Sequence, residues 1–357
     1  MRKGFFALAT IGLLATGGIA ACTGEKAEKV TAPATKVGVI LPDIRSSVRW
    51  ATADSKYLAE AFEAAGVEAV IQNAEGDTTR FTTIADGMIA SGVKVLIIAN
   101  LDSGSGKAVL EKAKAAGIAT IDYDRLTVGG GADYYVSFDN TEVGRLQAQG
   151  LVDCLAQRKV STPVVSYLNG PSTDNNSLLL REGYDRVLQP KFDSGEYLKG
   201  PDQDVPDWDS AQGGTIFEQQ LTQDRDIAGV LAANDGLGNA VIQVLRKNKL
   251  NGTVPVTGQD ATILGLQNIL VGDQCMTVHK PAREEAGAAA GLAIALVKGE
   301  PVAPTEAVAG TGTKAILLTP RAITAAQVKD VVTEGYATRE ELCSAAYADA
   351  CAAVGIG

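Results

Sequence analysis

Along the chain, runs of consecutive apolar residues alternate with stretches whose apolar positions recur every three to four residues. Residues 37–41 (VGVIL) are apolar without interruption, the mark of a strand covered on both faces. Leu58, Phe62 and Ala65 then make the i, i+4, i+7 stripe of a helix that Gly66 stops. The alternation repeats, with strands at 67–71, 93–99 and 118–123. Helical stripes run through Phe81, Ile84, Ala85 and Met88 and through 107–116. A second series follows Asn140. Its strands fall at 164–168, 227–232, 254–257 and 276–278, between helices at 142–156, 175–188, 209–222, 238–247 and 263–270. A long Ala- and Gly-rich helix covers 283–298, and a late strand lies at 315–318. Strand–helix units of this length require right-handed crossovers, so both series predict parallel sheets with helices on each face. The expected fold is α/β, with two doubly wound lobes joined by a multi-crossing hinge. The boundaries place 37–138 plus 281–309 in an N-terminal lobe and 139–280 plus 310–357 in a C-terminal lobe. The crossings are expected near 137–140, 279–281 and 310–313.

The first residues follow a different pattern. Arg2 and Lys3 precede a Gly-interrupted apolar stretch, Phe5 to Ala21, that ends in Ile19-Ala20-Ala21 directly before Cys22. This is the layout of an export signal over 1–21, and its apolar run is short and broken for a membrane span. Small residues before a cysteine predict that Cys22 becomes an acylated mature N-terminus. Several acyl chains on one residue give durable anchoring, and 22–36 reads as a polar tether. The protein is thus expected on the outer face of the cytoplasmic membrane or in the periplasm, held to the membrane by lipid only.

A net charge of −10 over 357 residues argues against nucleic acid as a partner. Of five cysteines, Cys154, Cys275, Cys343 and Cys351 remain beside Cys22, an even number suited to an oxidising compartment. Cys343 with Cys351 and Cys154 with Cys275 is the preferred pairing; four separate buried thiols are the alternative. No Cys-x-x-Cys supports a metal site.

The chemistry gathers at strand ends, where doubly wound sheets bind ligands. Arg49 and Trp50 follow the first strand, and Asp124 and Arg125 the fourth. The strand at 164–168 runs into Asp174-Asn175-Asn176 with Arg181 beyond. Asn234 ends the strand at 227–232, Asp260 the strand at 254–257, and Lys280 the strand at 276–278. Carboxylate, amide and guanidinium groups each engage two neighbouring hydroxyls. Trp50 and Trp208, the only two tryptophans, can cover C–H faces. The combination suits a sugar, although Asp174 and Asp235 also read as helix N-caps.

Ile44-Arg45…Arg49-Trp50, Tyr123-Asp124-Arg125, Ser137-Phe138-Asp139-Asn140, Asp174-Asn175-Asn176…Arg181, Ala233-Asn234-Asp235, Gly258-Gln259-Asp260 and Thr277-Val278-His279-Lys280-Pro281 stand in the order and spacing of one family. From about Val37 to Gly335 the chain resembles the periplasmic sugar-binding proteins of ABC importers, of ribose/galactose type, and among them the D-xylose-binding branch. The resemblance implies sugar contacts from Arg49, Trp50, Asp124, Arg125, Asn176, Arg181, Trp208, Asn234, Asp260 and Lys280. It implies D-xylose as ligand, with glucose, arabinose and ribose as competitors, the permease of an importer as partner, a monomer, and no cofactor. His279, where the family usually has Tyr, a longer loop before Arg49, and the extension carrying Cys343 and Cys351 depart from the pattern.

Other readings lack residues they need. Gly104-Ser105-Gly106-Lys107-Ala108 has neither the first Gly nor the Ser/Thr of a phosphate loop. His279 is the sole histidine, and no Gly-x-Ser-x-Gly elbow exists. Asp202, Asp204, Asp207 and Asp209 lack the Gly turn and terminal Glu of a calcium loop. Asp124 with Asp260 as a glycosidase pair is the remaining enzymatic alternative.

Overall fold

The computed structural model describes residues 36–302, 305–308 and 311–357. Cys22 and the expected export signal lie outside the described residues. The first sheet is built from β1 (Lys36–Leu41), β2 (Glu68–Asn73), β3 (Val95–Ile98), β4 (Ala119–Tyr123) and β5 (Tyr134–Phe138), connected by α1 (Ser55–Ala64), α2 (Thr78–Ala90) and α3 (Ser103–Ala115). Its uninterrupted apolar strands are buried along nearly their whole length, as Val37, Val39, Ile40, Leu96, Ile97 and Ile98 show.

After β5 the chain passes into α4 (Asn140–Gln157), then β6 (Val164–Asn169), α5 (Asn175–Asp193), β7 (Leu198–Asp204), α6 (Ser210–Gln223), β8 (Ile227–Ala232), α7 (Asp235–Lys247), α8 (Ile263–Leu270) and β9 (Thr277–His279). Strands β7, β6 and β8 form a parallel three-stranded sheet in that order. Helices α4 and α5 cross tightly because two glycines face the contact. A Cβ on Gly144 would lie 2.1 Å from the Leu180 carbonyl oxygen, and one on Gly183 2.2 Å from that of Thr141. That close approach sets the N-termini of both helices side by side at the cleft.

The chain returns to the first sheet through α9 (Ala282–Lys298), whose face of Ala286, Ala289, Ala290 and Ala293 packs into the core with Val39, Ile97 and Tyr123. Strands β10 (Glu306–Ala307) and β11 (Lys314–Leu318) then extend that sheet, giving the order β10–β11–β5–β4–β3–β1–β2. All its pairings are parallel except β10 with β11. Finally β12 (Arg321–Ile323) pairs antiparallel with β9. The chain ends in α10 (Val328–Thr333), α11 (Arg339–Leu342) and α12 (Ala348–Ala353), which bury Val328, Val331, Leu342 and Ile356 against Leu266 and Ile269 of α8.

The fold is therefore α/β, with two parallel-sheet lobes, and four details differ from the expectation. Residues 314–318 belong to the first sheet, because β11 runs parallel to β5 from Lys314 opposite Tyr134 to Leu318 opposite Phe138. The last crossing thus follows Leu318, not 310–313, and residues 314–318 lie with the N-terminal lobe. Residues 254–257 contribute only one bridge, Val230 to Val256. The strand at 276–278 is a short antiparallel partner of β12. Strand β7, LKGPDQD, was not expected at all. Cys154 is joined to Cys275 and Cys343 to Cys351, with Cα–Cα separations of 6.5 and 5.9 Å.

Candidate functional site

The carboxyl ends of both sheets face each other across a cleft, and the chemistry sits there. Asp124 is the first residue after β4 and adopts φ +61°, a left-handed backbone that side-chain-bearing residues seldom take. Four bonds hold it. Its N–H donates to the Val136 carbonyl at 2.8 Å. Its own carbonyl accepts from the Tyr135 hydroxyl at 3.1 Å, the Ser137 hydroxyl at 2.9 Å and the Asn176 amide at 3.1 Å. The side chain is thereby aimed into the cleft, where Oδ1 accepts from Asn176 Nδ2 at 2.9 Å. Oδ2 faces Arg49 at 3.1 Å and Lys280 at 3.4 Å.

Arg49 enters a π-helical turn, Trp50–Asp54, that precedes α1. Its guanidinium forks onto Asp54 at 2.8 and 2.6 Å and also pairs with Glu285 at the start of α9. Tyr123 donates its hydroxyl to the same Asp54 at 2.5 Å. Trp50 lies beside this cluster, its ring 4.7 Å from the Arg49 guanidinium and 5.6 Å from that of Arg125, its Nε1 donating to Ser46 at 3.1 Å.

The second lobe presents the opposing wall. Asp174 caps α5 by accepting from the Asn176 N–H at 2.9 Å. Its other oxygen is ion-paired with Arg125 Nε at 3.1 Å and accepts from Trp208 Nε1 at 3.1 Å. It is thus both the helix cap and a cross-cleft ion pair. Trp208 fits because Gly170 has no side chain there: a Cβ would sit 2.2 Å from Trp208 Cζ2. Asn234 caps α7 through the Leu237 N–H at 2.8 Å and donates across the cleft to the Ser46 carbonyl at 3.1 Å. Asp260, at φ +90°, accepts from Ser47 at 3.0 Å and stands 3.7 Å from Lys280.

Electrostatics divide these acids. Burial alone would raise the Asp124 carboxyl, but Lys280, Arg49 and Arg125 outweigh it and hold it at about 2. Glu285 goes the other way. Burial pushes it to about 8 against the pull of Arg49, with the negative Asp124 adding to the rise. Lys280 is held above its ordinary value because Asp124 and Asp260 together overcome its burial. At neutral pH the floor of the cleft therefore carries an ionised Asp124 between two cations.

Nine of the ten expected residues, Arg49, Trp50, Asp124, Arg125, Asn176, Trp208, Asn234, Asp260 and Lys280, line one space of about 30 Å³. Arg181 does not. It lies five residues after Asn176 on α5, about 140° round the helix. There it pairs with Asp202 at 2.9 and 2.5 Å and with Asp185 at 3.3 Å, on a partly exposed face. Ser46, Ser47, Asp174 and Gln259 complete the lining, and Asp54 and Glu285 support it from below. The last two had a readable signal: Asp54 falls one helical step before Leu58 and Phe62, and Glu285 one before Ala289 and Ala293. A charge on an apolar stripe has to be paired inside.

Residues 37–301 match the family model of the periplasmic binding protein domain. The chain is 35% identical over 329 residues to the D-xylose-binding periplasmic protein of Escherichia coli (strain K12), across 90% of this chain and 97% of that one. It is 32% identical over 319 residues to the multiple sugar-binding periplasmic receptor ChvE of Rhizobium radiobacter, across 84% and 89%. Among solved structures, a carbohydrate transporter solute-binding protein from Chloroflexus aurantiacus, in complex with D-glucose, superposes with a TM-score of 0.78 at 28% identity, covering 86% of this chain and 98% of that one. With the two-lobed fold and the cleft between its sheets, these matches place the chain in the periplasmic binding protein family.

Proposed function

We propose that the protein is the solute-binding receptor of an ABC sugar importer and takes a monosaccharide, D-xylose foremost, between its lobes. The observation that carries this reading is the cleft itself: planar acids, amides and guanidinium groups, nearly all paired with a neighbour, in a space that two tryptophans also line. Such groups exchange their mutual hydrogen bonds for sugar hydroxyls without stranding a buried charge. The family is one of binding receptors, so no chemistry on the sugar is needed.

The same geometry supports motion. About 30 Å³ admits one or two waters but no sugar ring. The cross-cleft contacts Arg125–Asp174, Asn176–Asp124, Asn234–Ser46 and Ser47–Asp260 therefore part to admit the ligand. Reclosure of the lobes over the sugar is the signal a permease would read. An aldopentose lacks the hydroxymethyl group at C5, and Trp50 and Trp208 supply the bulk that closes the space a hexose would need. Acylated Cys22 would hold the receptor near its permease; Cys22→Ser should move the protein from the membrane fraction to the soluble one.

Titration calorimetry against a panel of aldoses tests the reading. Micromolar or tighter D-xylose binding with glucose at least about tenfold weaker is expected. Equal or tighter binding of a hexose, the second reading, transfers the function to that sugar.

A further inference from the structure

Beside the narrow cleft lies a second and larger cavity, about 560 Å³, that shares Ser46, Ser47 and Asp260 with it. The wall between the two includes the hydrogen bond from Ser47 Oγ to Asp260 Oδ2, 3.0 Å long. Two exchangeable side chains thus stand at this point of the boundary. On its far side the cavity is bounded by Lys56 and Tyr57 of α1, by Asn239 of α7, and by Tyr336, Thr338 and Glu341.

The last three belong to the C-terminal extension. They are held in place because α10 to α12 dock on Leu266 and Ile269, and because Cys343 is tied to Cys351. Tyr57 and Tyr336 are bridged by the guanidinium of Arg283, 4.9 Å from one ring and 5.5 Å from the other. A cation between two rings fixes both. The chemistry of this cavity repeats that of the cleft: two anchored aromatic rings for C–H faces, with an amide, a hydroxyl and charges of both signs for hydroxyl groups.

We propose that this cavity is a second sugar subsite. A ligand longer than one ring, a short xylo-oligosaccharide, would place its terminal ring in the cleft and its next ring against Tyr57 and Tyr336 where they line the cavity, the linkage passing where Ser47 meets Asp260. The inference rests on the sugar-receptor reading above and extends its substrate class from monosaccharides to short oligosaccharides. The extension that builds the outer wall gains a role: it completes a subsite that the two lobes alone would leave open.

The experiment is calorimetric titration of the protein with D-xylose and with β-1,4-xylobiose, repeated on Tyr336→Ala and Tyr57→Ala. Xylobiose is expected to bind at least as tightly as D-xylose. Each variant is expected to weaken xylobiose about tenfold while shifting D-xylose less than about twofold, in keeping with the loss of one ring contact. The unchanged D-xylose titration shows that the variant is folded and its cleft intact. Binding of D-xylose without xylobiose overturns the subsite and leaves the receptor reading standing, as does an equal loss of both ligands in both variants. No binding of either sugar, nor of any other aldose, overturns the receptor reading itself.

Discussion

Replacing Glu285 by Gln isolates the electrostatics beneath the cleft. Glu285 is fully buried, pairs with Arg49, and leaves Oε1 without a partner. Its folded-state pKa of about 8 lies above the ordinary 4.5. Between these values the folded protein holds one more proton than the unfolded chain, so this group makes stability fall as pH rises, by about 1.4 kcal/mol per pH unit. From about pH 5.5 to 7.5 the loss is on the order of 2–3 kcal/mol. Glutamine keeps an acceptor for Arg49, which retains Asp54 and Asp124, and has no proton to lose. Asp122 and Asp235, raised to about 7 by burial, tilt the curve the same way, and His279, lowered to about 4 by burial, tilts it oppositely below 6.5. All three are present in both proteins and cancel in the difference. Urea unfolding at constant ionic strength should show wild type losing roughly 2–3 kcal/mol more than Glu285→Gln over that range. Parallel curves would refute a buried, protonated Glu285.

Three further outcomes follow from the geometry. Arg181→Ala should change D-xylose affinity by less than about twofold, since its partners Asp202 and Asp185 lie outside the cleft; a loss of tenfold would return Arg181 to the site. Gly170→Ala should displace Trp208, whose Cζ2 would lie 2.2 Å from the new methyl group, and weaken sugar binding about tenfold or more by calorimetry. Loop length predicts that removing Cys154–Cys275, which closes 121 residues, costs about 5 kcal/mol, and removing Cys343–Cys351, which closes 8, about 2.5 kcal/mol; equal losses on chemical denaturation would count against the loop-entropy argument.

The sequence disclosed those parts of the fold whose burial is local. VGVIL in β1 and IAGVLA in β8 are covered on both faces and say so residue by residue. Strand β7 is silent because it is an edge: LKGPDQD bonds only to β6, so its outer side tolerates proline, glycine and charge. Strand β11 was visible as a strand, but an apolar run does not name its sheet, and its partner β5 lies far away in sequence. The cleft was legible where ligands must be, at strand ends. Arg181 was misplaced because proximity in sequence ignores helical phase. Ser46 and Ser47 left no trace because short hydroxyls are common in loops, and only the fold brings Ser47 to Asp260, 213 residues away.

The most direct test is a crystal structure of the protein grown with saturating D-xylose. The account predicts one sugar ring between Trp50 and Trp208, its hydroxyls within hydrogen-bond distance of Asp124, Asn176, Asp260 and Lys280, with Arg181 still paired to Asp202. A sugar bound elsewhere on the molecule, or an empty cleft with the Asp124–Lys280 and Arg125–Asp174 pairs unchanged at a xylose concentration that saturates in solution, would contradict it.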